Sequence, residues 1–269
     1  MVDGSSNGHD DVRSQNDQLS SAEMHPGPGF RVQQQRDRLP SDLVGAFGRF
    51  ETPDVSDLLN RLYTMASGIR PLTPNATRIA GLACTVKVFP GDNLMVHKAL
   101  DLAEPGDIVV IDASASHMTA VLGDMIANKA AHRGIAGFVV DGLIRDLPGI
   151  EEIGTLPVFA RGVTPIGPLH RGPGEVNYPI SCGGIVVNPG DVIVGDQNGV
   201  VVVPQVVAKA TLDLLEERRE RNASYVEAVR RGEFSNAWVD RVLAGGGMHL
   251  PQPGSPPTAP PERGDAARS

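Results

Sequence analysis

Arg145 and Asp146 stand side by side at the end of the stretch GDMIANKAAHRGIAGFVVDGLIRD, which begins at Gly123. An arginine can grip a carboxylate through two parallel hydrogen bonds. An aspartate is a hard oxygen ligand that can hold Mg²⁺ or Mn²⁺ while the ion keeps most of its water. At the other end of the stretch, Gly123, Asp124, Met125 and Ile126 open a helical pattern. The unpaired N–H groups and positive dipole end of such a first turn suit a small carboxylate. A carboxylate grip beside a metal that can take the adjacent carbonyl oxygen describes a site for a 2-oxo acid. Taken alone, an Arg-Asp pair reads more readily as a solvated turn, because charged residues are mostly exposed.

The elements between these residues decide whether they meet. Asp124 serves as an N-terminal cap or first-turn acid, Met125, Ile126, Lys129 and Ala130 follow at helical spacing, and Arg133-Gly134 gives a cationic last turn and a stop. Gly137–Val140 is a short apolar run rich in β-formers, ended by Asp141-Gly142. A helix of about ten residues covers ~15 Å, and a strand of five or six returns ~18 Å. The end of the strand therefore comes back beside the start of the helix.

Elsewhere, Ser41 to Met65 reads as helix interrupted near Pro53, and Ile79–Phe89 and Ile108–Asp112 read as strands around a helix over 93–102. His97 on that helix has no second His or Cys at ligand spacing and reads as a packed or surface histidine, although the GDN…H string could bring Asn93 or His97 to a cleft. A short helix at Pro148–Ile153 and a strand at Pro157–Ala160 follow. The Gly/Pro-rich run 162–174 reads as a loop, with His170 and Arg171 on its surface. Strands at 180–187, 192–195 and 200–203 include an Asn198-Gly199 hairpin signal. The longest helix spans Gln205–Arg231, with Leu212, Leu215, Tyr225, Val226 and Val229 marking its buried faces, and a last short helix begins near Trp238. This pattern predicts a mixed α/β chain with no repeated βαβ period.

A net charge of −8 over 269 residues argues against a nucleic-acid surface, which needs a basic stripe. Cys84 and Cys182 read as buried thiols of a reducing compartment, not as a zinc site. Residues 1–40 have no apolar periodicity and the tail 251–269 is Pro-rich, so both read as disordered ends around a core at 41–250. There is neither a signal peptide pattern nor an apolar run long enough to span a membrane, and the expected location is cytoplasmic.

Six strings in order carry a family resemblance: PGDNLMVHKAL from Pro90, PGDIVVID from Pro105, GDMIA, GFVVDGLIRD, PVFARGVTP from Pro157 and PGDVIVGDQNGVVVVP from Pro189. Over roughly 41–250 the chain resembles the class II pyruvate aldolases that cleave 4-hydroxy-4-methyl-2-oxoglutarate and 4-carboxy-4-hydroxy-2-oxoadipate, relatives of the regulator of ribonuclease E activity A. The resemblance implies a layered β/β/α swivelling-type domain, assembled as a homotrimer or hexamer with sites between subunits. It implies Arg145 as the pyruvate-binding arginine and Asp146 as the metal ligand. Asp124 would orient metal-bound water, and the Gly123–Ile126 backbone would bind the carboxylate. The implied base for the C4 hydroxyl is a water linked to the metal or to Asp124, with oxaloacetate decarboxylation as a side activity.

Two departures stand out. The family's acid three positions after the metal aspartate is Gly149 here, and its C-terminal-helix glutamate falls near Asn222, with Glu217 and Glu220 as substitutes. A glutamate at Asn222, with or without one at Gly149, is expected to raise cleavage selectively. The non-enzymatic regulators of an RNA-degrading enzyme lack the aspartate that this chain keeps at Asp146. A methyltransferase would need a glycine cluster that VVIDASASHM does not contain.

Overall fold

In a computed structural model, which describes residues 27–74 and 78–245, four strands run parallel and adjacent. They are β3 (Arg78–Val88), β4 (Ile108–Asp112), β6 (Gly137–Ile144) and β7 (Val158–Val163), which follow β1 (Phe30–Val32) and β2 (Arg70–Pro71) in the chain. Three helices connect them: α3 (Leu94–Leu102), α4 (Asp124–His132) and α5 (Leu147–Ile153), preceded by α1 (Ser41–Ala46) and α2 (Thr52–Leu58). A βαβ succession is therefore present, contrary to the sequence expectation. The polar run after β4 and the short strand β5 (Ala120–Leu122) hide its period, and α5 is only seven residues long.

Strands buried on both faces read as continuous apolar runs, and every residue of β4 and β6 is buried. Val96, Ala99, Ile126, Ala130 and Ile150 of the helices cover one face of the sheet. Ile108, Val110, Val139 and Phe159 face the other way, onto two hairpins. These are β9 (Ile180–Cys182) with β10 (Ile185–Val187) and β11 (Val192–Asp196) with β12 (Gly199–Val203), after β8 (Gly174–Val176). The long strand β3 joins the layers: residues 83–87 pair with β4, and residues 78–82 pair with β11. Behind β11 and β12 lies a third apolar cluster containing Val44, Phe47, Val55, Leu212 and Leu215. A fully buried side chain of this size contributes ~1.5–3 kcal/mol. The mixed α/β fold with layered sheets matches the expectation.

Two further expectations are corrected here. Asp141-Gly142 does not end the strand: β6 runs on to Ile144, and the buried Asp141 accepts from Arg161 Nε and from Gly183 N–H at 2.7 Å. The fold also begins before Ser41. β1 pairs in parallel with β8, and the buried Arg36 ion-pairs with Asp107, a polar anchor that apolar periodicity cannot reveal. Residues 1–26 and 246–269 lie outside the described residues.

The chain divides into two compact units within α6 (Ala208–Arg230), at Glu216/Glu217. In the second unit, which includes α7 (Ala237–Gly245), Tyr225, Val226 and Val229 are exposed, whereas Leu212 and Leu215 in the first unit are buried as expected. Helical spacing marks an apolar face without stating whether anything covers it. No helix among the described residues is long and apolar enough to cross a membrane.

Candidate active site

The end of β6 meets the start of α4 because the short strand β5, just before α4, lies alongside the end of β6. β5 and β6 pair in parallel, and Arg145 N–H donates to Leu122 O at 3.0 Å, which sets Arg145 beside Gly123. The first internal bond of α4 is Ala127 N–H to Gly123 O at 3.1 Å. The amides of Asp124, Met125 and Ile126 precede it, where a helix leaves its N–H groups to other acceptors. Asp146 occupies the N-cap of α5 with φ 55°, a left-handed conformation that costs a non-glycine residue about 1–3 kcal/mol and tends to occur at functional sites.

Three glycines make room for these side chains. A Cβ on Gly123 would overlap Asp146 Oδ2 and come within 3.0 Å of Arg145 Cγ. One on Gly167 would overlap Arg145 Nη1, and one on Gly149 would press on Asp124 at 3.0–3.1 Å. A side chain at Gly149 would therefore need Asp124 to give way by a few tenths of an ångström.

A cleft of about 240 Å³ is lined by Gly123, Asp124, Met125, Ile126, Arg145 and Asp146, all the residues singled out from sequence. Arg145 Nε is buried and hydrogen-bonds nothing, although it lies 3.2 Å from Asp146 Oδ2. The two side chains are about equally open, at 42% and 43% exposed. Arg145 and Asp146 thus form an ion pair whose two side chains remain open enough for the guanidinium to meet an anion and the carboxylate a cation. Asp146, with Asp124 beside the same cleft, supplies carboxylate oxygens of the kind hard divalent cations take. Among the described residues no group of three His, Cys, Asp or Glu is placed to hold a metal.

Asn93, His97, Lys129, Pro168 and His170 complete the cleft. His170 is exposed, as expected for the loop, and also lines this cleft. Its Nδ1 lies 2.5 Å from Asn93 Oδ1, and its ring centroid lies 5.6 Å from that of His97 in an edge-to-face arrangement. The GDN…H string did carry a usable signal for Asn93 and His97. Nothing local signals His170, whose partner is 77 residues away. Burial, then the positive charge of Lys129 and the neighbouring His170, pull the His97 pKa down, against the opposing effect of Asp101. The thiol of Cys84 is pushed up to about 12, chiefly by burial, and burial likewise raises Cys182, so both behave as packed thiols.

The family model described as "RraA-like: Aldolase/RraA" matches residues 52–202, a span that contains every residue of the cleft. A protein of Halalkalibacterium halodurans named "Putative 4-hydroxy-4-methyl-2-oxoglutarate aldolase" is 44% identical over 164 residues, covering 61% of this chain and 77% of that protein. The crystal structure from Streptomyces coelicolor titled as an unusual member of the RNase ES inhibitor RraA protein family superposes with a TM-score of 0.65. It is 29% identical and covers 71% of this chain and 98% of the other. The Thermus thermophilis structure titled as an RNA-processing inhibitor gives a TM-score of 0.53 at 32% identity, over 58% of this chain and 93% of the other. With more than half of its length matched, the chain belongs to the RraA-like, or Aldolase/RraA, family.

Proposed function

We propose that this protein cleaves a 4-hydroxy-2-oxo di- or tricarboxylic acid by retro-aldol chemistry, releasing pyruvate and a second oxo acid, and decarboxylates oxaloacetate as a side activity. The observation that carries the reading is the corner where Arg145 and Asp146 face the first turn of α4, with Arg145 Nε left without a hydrogen-bond acceptor. The aldolase names of relatives support it.

Arg145 and the amides of the first α4 turn bind the 2-oxo carboxylate and hold the C2 carbonyl beside Asp146. As the C3–C4 bond breaks, its electron pair moves toward the C2 oxygen. The fixed guanidinium charge stabilises the pyruvate enolate that develops, an effect worth ~10²–10³ in rate for a single well-placed donor. The C4 hydroxyl proton must leave to a base in the cleft, and Asp124, His97 and His170 are its titratable candidates beside Asp146. A half-open carboxylate suits a loosely held Mg²⁺ or Mn²⁺, for which Asp146 would be the ligand and Asp124 would orient a bound water. When bound, such an ion supplies Lewis-acid stabilisation of charge on the 2-oxo oxygen.

The test is pyruvate release from a panel of 4-hydroxy-2-oxo acids and oxaloacetate, with Mg²⁺, with Mn²⁺ and with EDTA. Cation-dependent release is expected. The titles of the solved relatives supply a second reading, a non-enzymatic inhibitor of RNA processing. A chain that turns over nothing in the panel but inhibits an RNA-degrading enzyme would favour it.

A further inference from the structure

The Arg145 side chain is boxed by two stretches of backbone that carry no side chain. A Cβ on Gly123 would stand 3.0 Å from its Cγ and 3.2 Å from Nε, and one on Gly167 would overlap Nη1 and stand 3.2 Å from Cζ. Both walls hang on one short strand. Arg145 N–H donates to Leu122 O at 3.0 Å, and Ala120 N–H donates to Ile166 O at 2.9 Å. The strand β5 therefore holds the base of the arginine at its last residue and the loop of Gly167 at its first. Two residues of strand span ~7 Å, and that spacing sets the width of the box. The loop is fastened again on each flank. Thr164 N–H donates to Ile144 O at 2.9 Å and its Oγ1 to Met118 O at 3.2 Å. Leu169 N–H donates to Gly91 O at 2.7 Å, and Leu169 O accepts from Asn93 N–H at 3.0 Å. Gly167 lies between these ties, so the loop cannot leave the guanidinium without breaking them. Its φ is outside the left-handed region, so the missing side chain, and not backbone freedom, is what the site uses there.

We infer that Gly167 is a positioning residue for Arg145, the stop that fixes how far the guanidinium reaches and how its plane lies, an inference that rests on the aldolase reading for its substrate. An arginine fork serves a ligand oxygen well only when its plane is set beforehand, since the side chain is long and the fork rigid. Asp146 does not set that plane. Its Oδ2 lies 3.2 Å from Nε, yet Nε makes no hydrogen bond, so the carboxylate attracts the guanidinium without orienting it. Contact with Gly123 at one end and Gly167 at the other supplies the orientation. A charge held in place before the reaction needs no rearrangement when the enolate develops, which is the condition for strong electrostatic stabilisation.

The experiment is a double-mutant cycle of Gly167→Ala with Arg145→Lys, at fixed Mg²⁺. Readouts are kcat and KM for 4-hydroxy-4-methyl-2-oxoglutarate, the Kd of oxalate as an enolate-shaped dianion, and thermal unfolding. A methyl group at 167 must push Nη1 back by about 1 Å to reach an ordinary contact distance, and a displacement of that size costs on the order of a hundredfold. In Gly167→Ala, kcat should fall by about that factor and oxalate Kd rise about tenfold or more, with KM changed less, because the guanidinium meets charge that grows as the enolate forms. A lysine side chain ends short of Nη1. In the Arg145→Lys background the same methyl should therefore change kcat and oxalate Kd by no more than about threefold. Tm should stay within about 2 °C, since the group that moves is the far end of a two-fifths-exposed side chain. Near-wild-type kcat and oxalate Kd in Gly167→Ala would overturn the inference and leave the aldolase reading intact. Equal losses in both backgrounds, or a loss explained by a fall in Tm, would overturn it too, because the loop would then act on something other than the guanidinium. If the wild type cleaves no hydroxy-oxo acid while oxalate binding shows the coupling, the aldolase reading fails and the positioning role of Gly167 stands.

Discussion

Replacing Gly123 by alanine adds one methyl group at the point where the two ends of the site touch. Its backbone, at φ −141° and ψ −166°, is extended and open to any residue, so the change is steric and not conformational. The new Cβ would overlap Asp146 Oδ2 and stand 3.0 Å from Arg145 Cγ and 3.2 Å from Arg145 Nε. Ordinary carbon contacts lie at about 3.5–4.0 Å, so the Arg145 side chain must retreat by roughly 0.5 Å and the carboxylate by about 1 Å. A misplacement of ~1 Å in a catalytic group costs on the order of a hundredfold, equivalent to ~2.7 kcal/mol of barrier at 1.36 kcal/mol per decade. Stability should change by less, about 1 kcal/mol, because both displaced side chains are roughly two-fifths exposed and can swing toward water. The assay is continuous detection of pyruvate with a coupled dehydrogenase, beside thermal unfolding of the same samples. Gly123→Ala within about threefold of wild-type kcat/KM would refute the close approach, as would an activity loss fully explained by a fall in Tm.

Arg145→Lys keeps the charge but loses the planar fork, and kcat/KM should fall by at least about a hundredfold, ~3 kcal/mol of transition-state stabilisation; a near-wild-type mutant would return Arg145 to the status of a turn residue. Chelation should abolish turnover and Mg²⁺ or Mn²⁺ restore it, because a site of one or two carboxylates binds metal weakly; full activity after exhaustive EDTA treatment would contradict this. Glu175 is held below the usual carboxylate range by the hydrogen bond from Arg31, against the cost of burial, with help from the Gly29 amide. A depressed folded pKa gives stability that is present above the unfolded value of ~4.3 and lost as pH falls through the folded one. Amides of Phe30–Val32 should therefore lose protection from hydrogen exchange as pH drops below ~4, and Glu175→Gln should remove that acid dependence; an unchanged profile in the variant would disprove the link.

The parts of the site within one local unit were legible, because a strand that follows a helix runs back toward the helix start, although β5, which pairs with the end of β6, was not read from sequence. Gly123–Ile126 and Arg145–Asp146 meet for that reason. What sequence missed was set by partners distant in the chain. Asp141 looks like a strand terminator until Arg161 and Gly183 compensate its burial. His170 is loop surface as read, but Asp92 and Asn93 tie its loop to the start of α3, which brings it to the cleft. The strap around Arg36 looks unstructured because a polar ion pair with Asp107 and two short parallel strands hold it, not an apolar face. The roles of Gly149 and Gly167 were invisible for the opposite reason: a glycine that leaves space for a neighbour's side chain has no pattern of its own.

The most direct measurement is the product stoichiometry from 4-hydroxy-4-methyl-2-oxoglutarate, followed by NMR with the Mg²⁺-loaded wild type and with Asp146→Ala. Retro-aldol cleavage of that acid splits it into two identical three-carbon products. The account predicts about two molecules of pyruvate for each substrate consumed, with turnover lost when Asp146 is replaced. Substrate left intact by the wild type, or pyruvate formed equally well by Asp146→Ala, would contradict it.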